Sequence, residues 1–373
     1  MRILQVTAGL NEGGVERGTL EMAAFIISQG SESIVASNGG KLVAKLKQSG
    51  ATHIQLPLVR RDPVSILINA LRLRRFIKSA QIDLVHARSR APAWSAWLAC
   101  RLAGVKMITT FHGTHKIQNR IKRLYNSSMV RGERVIAISE FIKTHVIENY
   151  SVSESLIDIA PRGFDEEEFN PDHVSEQDTK TTRQGLGLSE SDFIITLPGR
   201  LTRWKGQTIF LQALAHLKEH SWQALIVGGA GEKEAYQREL KTLANSLGIG
   251  NRVHFLGSQS KITKFYAISD IVVSASIEPE AFGRVAVEAQ AMKKPIIASA
   301  HGGSLETVQD GVTGWLYPAD SPTALAEKLL LAIENKSDLN AVGQRARQWV
   351  EKNYTINQMC NSEWDAYEKL LKT

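Results

Sequence analysis

Short apolar runs alternate with helix-period segments along this chain, stop, and then alternate again. No other feature restricts the fold as much. In the first half the runs are ILQVT (3–7), SIVAS (33–37), HIQLP (53–57), DLVHA (83–87), KMITTF (106–111) and RVIAIS (134–139). Segments such as GTLEMAAFIISQG and PAWSAWLACRLAG lie between them, with apolar residues at helical spacing. Strands that alternate with helices predict a parallel sheet covered on both faces. Residues 163–191 are polar and poor in large apolar groups, and they predict a linker. The alternation then restarts with FIITLPG (193–199), ALIVGG (224–229), RVHFLG (252–257), DIVVSAS (270–276), PIIAS (295–299) and TGWLY (313–317).

The expected architecture is therefore α/β, with two Rossmann-like doubly wound parallel-sheet domains facing a central cleft. The boundaries are 1–165 for the first domain, 166–190 for the linker, 191–350 for the second domain and 351–373 for a closing helix. A chain of 373 residues with 43% apolar content can bury two cores. Ligands of such sheets bind at the carboxyl ends of the strands, so chemistry is expected in the strand-to-helix loops.

Charge divides the halves. Residues 1–150 carry 22 Lys and Arg against 9 Asp and Glu, a net +13, while the remainder nets −6. The first half is expected to face something anionic. Its run VRRDPVSILINALRLRRFIKSAQ (59–81) is basic and amphipathic, which suits an anionic membrane surface or, more plainly, a core helix with a solvated face. The aromatic-interleaved patches of nucleic-acid binders are absent. No leader and no apolar stretch of membrane-spanning length is read, and the two cysteines are far apart. These features set an expectation of a cytoplasmic protein, peripheral on the inner face of the membrane.

Three loops of the second half suit phosphate. Arg200 and Lys205 sit in LPGRLTRWKGQ, a Gly-containing loop between a strand and a helix. Gly228, Gly229 and Gly231 follow the next strand, but Glu234 stands where a third glycine would complete a dinucleotide fingerprint, and a plain turn reads equally well. The third loop, EPEAFGRVAVEAQAM, sets Phe282, Gly283 and Arg284 at a helix start, where free N–H groups attract an anion. Glu280 and Glu288 flank it. A carboxylate beside a phosphate is unfavourable, whereas a carboxylate accepts bidentate hydrogen bonds from vicinal hydroxyls. The turn is thus predicted to hold a diphosphate, with Glu280 on a sugar and Glu288 on a ribose. The plainer alternative is a helix-start acid and a solvated helix residue.

The block EAFGRVAVEA is an E-x7-E motif. With PGRLTRWKGQ, RVHFLGSQSK and HGGSLETVQDGVTGWLY it resembles the retaining, nucleotide-sugar-dependent glycosyltransferases of family 4, which have the GT-B fold. The resemblance covers nearly the whole chain. It implies that Arg200 and Lys205 contact the donor diphosphate, that Glu280 and the Phe282 and Gly283 amides meet sugar or phosphate, and that Glu288 binds ribose. It further implies that His254, Phe255 and Leu256 hold the base, largely through backbone. Gly13 and Gly14 would line the donor phosphates, and His112 would face the donor sugar. Glu280, His112, Arg200 and Lys205 form the implied catalytic set. Gly302, Gly303 and Glu306 fit the pattern but serve equally as turn residues. Arg88 and Arg90 are unspecific cleft residues, His115 is surface, and Ser139 and Glu140 are a turn near the acceptor.

The implied reaction moves a hexosyl group from a GDP- or UDP-sugar to an acceptor hydroxyl with retention, by front-side substitution. The basic first half sets the expectation of a glycan or lipid-linked acceptor of lipopolysaccharide or other envelope synthesis. The chain has no D-x-D motif, so no metal cofactor is expected. A nucleotide-sugar epimerase would lack the E-x7-E block. A sugar-nucleotide-binding scaffold would lose Glu280 or His112. A nicotinamide enzyme would need an intact glycine fingerprint.

Overall fold

The structure is a computed structural model that describes residues 1–372 except 12, 116, 230, 232 and 233. Strands β1 (Arg2–Val6), β2 (Glu32–Ser37), β3 (Thr52–Gln55), β4 (Leu84–Ala87), β5 (Lys106–Phe111), β6 (Arg134–Ala137) and β7 (Ile157–Ile159) form one sheet, ordered β3-β2-β1-β4-β5-β6-β7. Strands β8 (Ile194–Pro198), β9 (Gln223–Val227), β10 (Val253–Gly257), β11 (Ile271–Ser274), β12 (Ile296–Ser299) and β13 (Gly314–Tyr317) form another, ordered β10-β9-β8-β11-β12-β13. Every pairing between these strands is parallel. The central strands are apolar on both faces because helices cover both sides of each sheet: Ile3, Leu4, Ile195 and Val273 are fully buried.

The winding direction reverses between β1 and β4 in one sheet and between β8 and β11 in the other. Loops that leave such a reversal diverge to opposite faces and open a crevice at the strand ends. The twelve strands expected from sequence are present. β7 was not expected, since a three-residue Ile-Asp-Ile edge strand is too short to show a period.

The chain divides into two compact units, residues 1–163 with 356–373, and residues 164–355. Two boundaries differ from expectation. Residues 166–190 are no bare linker. They hold the helix Glu176–Gly185 within the second unit, and Ser175 caps it by accepting from the Asp178 N–H at 3.1 Å. Low apolar content hid that helix, although Ser175-x-x-Asp178 is a capping signal. The closing helix is Ile356–Lys372, and it completes the first unit: Met359, Cys360, Tyr367 and Leu370 pack on Ile3, Leu84, Ile108 and Ile136. Both cysteines are free and buried, and burial raises the Cys100 thiol to about 12. No helix of the described residues is long and apolar enough to cross a membrane.

Candidate active site

In the second unit the loops after β8 and β11 touch at the winding reversal. Gly206 has φ of 70°, and a Cβ there would lie 1.7 Å from the Ala275 carbonyl oxygen, so only glycine permits the approach. The Ile277 N–H donates to the Trp204 carbonyl at 2.8 Å. This contact brings together two residues singled out in sequence. Lys205 Nζ donates to Glu280 Oε1, which also accepts from Ser276 Oγ at 2.5 Å. The two side chains are 15% and 13% exposed, so the pair is half-shielded from water yet within reach of a ligand. Lys205 Nζ also lies 4.4 Å from the centre of the Trp204 ring. Arg200 is exposed and forms no side-chain hydrogen bond or ion pair among the described residues.

The turn at 280–283 rests on the two glycines of HGGS. The Gly303 N–H donates to the Glu280 carbonyl at 2.8 Å. A Cβ on Gly302 would lie 2.4 Å from that oxygen, and one on Gly303 2.4 Å from the Phe282 oxygen. The Phe282 ring is buried edge-on against Tyr354 with centroids 5.5 Å apart, so Phe282 anchors the turn and leaves only its main chain for a ligand. Gly283, with φ of 91°, caps the helix Arg284–Ala291. Helix geometry leaves the Arg284 and Val285 amides without intrahelical partners, a start suited to an anion.

One helical turn on, Glu288 accepts from Arg284 Nη2 at 3.1 Å and from the Tyr266 hydroxyl at 3.2 Å. Tyr266 is fully buried, and burial followed by the Glu288 charge holds its phenol well above the ordinary value. It therefore stays a donor that orients the carboxylate. Nothing in local spacing could have revealed Tyr266.

The expected base loop is divided. Leu256 lies at the carboxyl end of β10, where the register against β9 shifts between Phe255 and Gly257, and its carbonyl accepts from Gln259 at 2.6 Å. Phe255 packs against the core of the second sheet. His254 is a correction. It lies near the amino end of β10 and its Nε2 is 3.1 Å from Gln223 Oε1, away from the strand ends where ligands bind. Gly228 is a packing glycine, because a Cβ there would lie 1.9 Å from the Gly199 oxygen.

In the first unit, Gly13 has φ of 148° and caps the helix that begins at Gly14. His112 follows β5. Its Nδ1 lies 2.6 Å from Arg162 Nη2. A guanidinium only donates, so Nδ1 accepts and the ring proton sits on Nε2. Burial first, then the charges of Arg162 and Arg88, hold His112 well below the ordinary imidazole value. His112 is thus a neutral N–H donor, and its Nε2 is buried without a partner among the described residues. The helix from Gly14 meets the same guanidinium: a Cβ on Gly18 would lie 2.3 Å from Arg162 Nη1.

Three further readings change. Arg88 is no open cleft residue. It is 1% exposed, pairs through both terminal nitrogens with Glu363, which is equally buried, and donates to Gln5 Oε1 at 2.6 Å. His115 is not surface. It stacks near the Phe111 ring at 5.2 Å, and burial followed by Arg90 lowers its pKa to about 3. Ser139 is a buried helix cap that accepts from the Ile142 N–H at 3.1 Å, a structural duty. Among the described residues no cluster of three or more His, Cys, Asp or Glu could hold a metal.

Comparison with known proteins agrees with this arrangement. The family described as Glycosyltransferase Family 4 matches residues 12–168, and that described as Glycosyl transferases group 1 matches residues 178–349. A D-inositol 3-phosphate glycosyltransferase of Xylanimonas cellulosilytica is 31% identical over 281 residues, covering 71% of this chain and 67% of that protein. For the related enzymes of two Corynebacterium species the match spans 62% and 66% of their length. A glycosyltransferase structure from Rickettsia africae is 37% identical with a TM-score of 0.92, covering 100% of this chain and 99% of that one. HepE from Anabaena, solved with UDP-glucose, is 25% identical with a TM-score of 0.84 over 100% of both chains. A family 4 first domain, a group 1 second domain and two parallel sheets wound alike make this chain a member of the GT-B glycosyltransferases.

Proposed function

We propose that the chain transfers a hexosyl group from UDP-glucose or a similar UDP-hexose to an acceptor hydroxyl, with retention of configuration. The Lys205–Glu280 pair carries this reading, because it stands at a winding reversal beside the open helix start after Gly283. A diphosphate there would draw Lys205 and the Arg284 and Val285 amides to its oxygens. Glu280 would then be released to accept from sugar hydroxyls. Arg200, exposed on the same loop, supplies the second cation. Glu288, held by Tyr266, accepts from the ribose. The solved HepE complex with UDP-glucose favours uridine over guanosine.

Two cations and a helix start can neutralise the leaving diphosphate without a metal ion. In the front-side route the leaving phosphate oxygen takes the proton of the acceptor hydroxyl as the new glycosidic bond forms. Neutral His112 donates a hydrogen bond to a substrate hydroxyl rather than removing a proton.

The acceptor is proposed to be a glycan or lipid-linked intermediate of lipopolysaccharide or another envelope polymer, met at an anionic membrane face. The helix Pro63–Ser79 favours this. Val64 is 67% exposed, Leu67 53% and Leu71 51%, beside Arg72, Arg75 and Lys78. Flotation with phosphatidylglycerol vesicles, compared with neutral vesicles, tests that face.

The decisive experiment is a thermal-shift and turnover screen with UDP-glucose, UDP-galactose and GDP-mannose, with and without EDTA. A donor at about 100 times its Kd adds roughly 2.7 kcal/mol of stability. A shift from a UDP-sugar, kept in EDTA and lost in Lys205→Ala, supports the reading. No shift from any donor refutes it. A product anomer opposite to the donor's, read by NMR, refutes retention, and interconversion of donors without transfer would make the chain an epimerase.

A further inference from the structure

The first unit contains a cavity of about 280 Å³ that the donor site does not account for. Arg61, Ser89, Arg90, His112, His115 and Tyr125 are among its walls, and no Asp or Glu of the described residues lines it. Its size is close to the roughly 300 Å³ at which small-molecule pockets begin, enough for a monosaccharide, a polyol or the head of a larger acceptor. We propose that this cavity binds the acceptor by a phosphate group, with Arg61 and Arg90 as the anion-reading residues and the buried His112 N–H at the hydroxyl-bearing part of the same molecule. The proposal rests on the transferase reading above and adds the chemical class of its acceptor.

Four observations converge on an anion. Arg88, which also lines the cavity, is already neutralised by Glu363, but among the described residues Arg90 is held only by neutral groups, Asn126 Oδ1 at 2.9 Å and the Tyr125 ring. Arg61 is exposed and has no ion pair among the described residues. The helix Arg90–Ala103 starts in the cavity wall. Its cap residue Ser89 makes no capping bond and lies instead 3.2 Å from Thr7 Oγ1, so the first amides remain open. The wall also holds an orphaned donor, His112 Nε2, which is buried without a partner among the described residues. The field of these cations is already felt inside, since Arg90 contributes to keeping His115 neutral. A bound phosphate would reverse that contribution.

The test uses the full chain with its donor site saturated by UDP, and follows the His115 and His112 imidazole resonances by NMR. Inorganic phosphate and glycerol 1-phosphate are titrated first, with glycerol as the neutral control, then vesicles of phosphatidylglycerol in phosphatidylcholine. The expected result is saturable binding of both phosphates, a raised His115 pKa and no binding of glycerol. Loss of one charge-assisted contact weakens binding about tenfold, so Arg61→Gln and Arg90→Gln should each lose about that much while UDP affinity is unchanged. Arg61 is exposed, so Arg61→Gln tests the contact without risk to the fold. If anionic vesicles displace glycerol 1-phosphate, the phosphate is a lipid headgroup's. If they do not, it belongs to a soluble acceptor. Phosphate binding that is absent or indifferent to both substitutions, with UDP still bound, overturns the proposal and leaves the transferase reading standing. Failure of UDP itself to bind overturns that reading instead.

Discussion

Removal of the Glu363 carboxylate should strip the first unit of much of its stability. Arg88 and Glu363 are each 1% exposed, so neither charge can be rescued by water. Glu363→Ala leaves the guanidinium with Gln5 Oε1 as a neutral partner at 2.6 Å. Breaking a buried pair from one side costs about 3–5 kcal/mol. For a unit of this size each kcal/mol lowers the melting temperature by about 2–4 °C, which places the loss at roughly 6–20 °C. Calorimetry with UDP present separates the units, because UDP raises the transition of the unit that binds it. Glu363→Ala should move only the other transition. Arg88→Met combined with Glu363→Leu should recover most of the loss, since a buried pair replaced by apolar groups of similar volume is near neutral. A loss below about 1 kcal/mol, or a double variant no better than the single one, would refute the argument that the charge is locked in and uncompensated.

Acid should destabilise the same unit through its histidines. Burial, followed by Arg88 for His86, Arg162 for His112 and Arg90 for His115, keeps all three neutral when folded. The unfolded chain gains their protons near pH 6.5, so unfolding free energy should fall below that pH by about 1.4 kcal/mol per pH unit for each histidine and stay flat above it. For His115 the fall continues to about pH 3, where its folded-state pKa lies. Urea titrations at pH 7.5 and 5 check this, and equal midpoints would contradict it. Gly206→Ala places a Cβ 1.7 Å from the Ala275 carbonyl oxygen, so the two loops must part; it should weaken UDP binding by more than tenfold, at an αL cost of about 1–2 kcal/mol, as read by calorimetric titration and denaturation. Tyr266→Phe should cost about 1–2 kcal/mol of stability and weaken UDP more than it weakens free diphosphate, because Glu288 loses its orienting hydroxyl.

What the sequence made legible was whatever a local period or a short motif encodes. The strand runs, the Gly-Arg and E-x7-E loops and the helix start after Gly283 all lie within a few residues of their own signals. Lys205 and Glu280 were singled out separately, and the fold joined them because their loops leave neighbouring strands at the winding reversal. Partners set by distant packing left no signal. Glu363 lies 275 residues from Arg88, Arg162 lies 50 residues from His112, and Tyr266 reaches Glu288 from another helix. His254 was misplaced because a motif names a strand without saying which end of it faces a ligand. His115 was left outside because a loop histidine carries no periodic mark of burial.

The discontinuity of the first unit bears on how the chain is made. The second unit is one unbroken stretch, 164–355, whereas the first unit lacks its last helix and the counter-ion of Arg88 until residues 356–373 have been synthesised. On the ribosome, the half that is translated later can therefore finish folding earlier. During that interval the nascent first sheet exposes Ile3, Leu84, Ile108 and Ile136, the surface that a chaperone would recognise. A stop codon just after residue 355 would spare the second unit and disable the first.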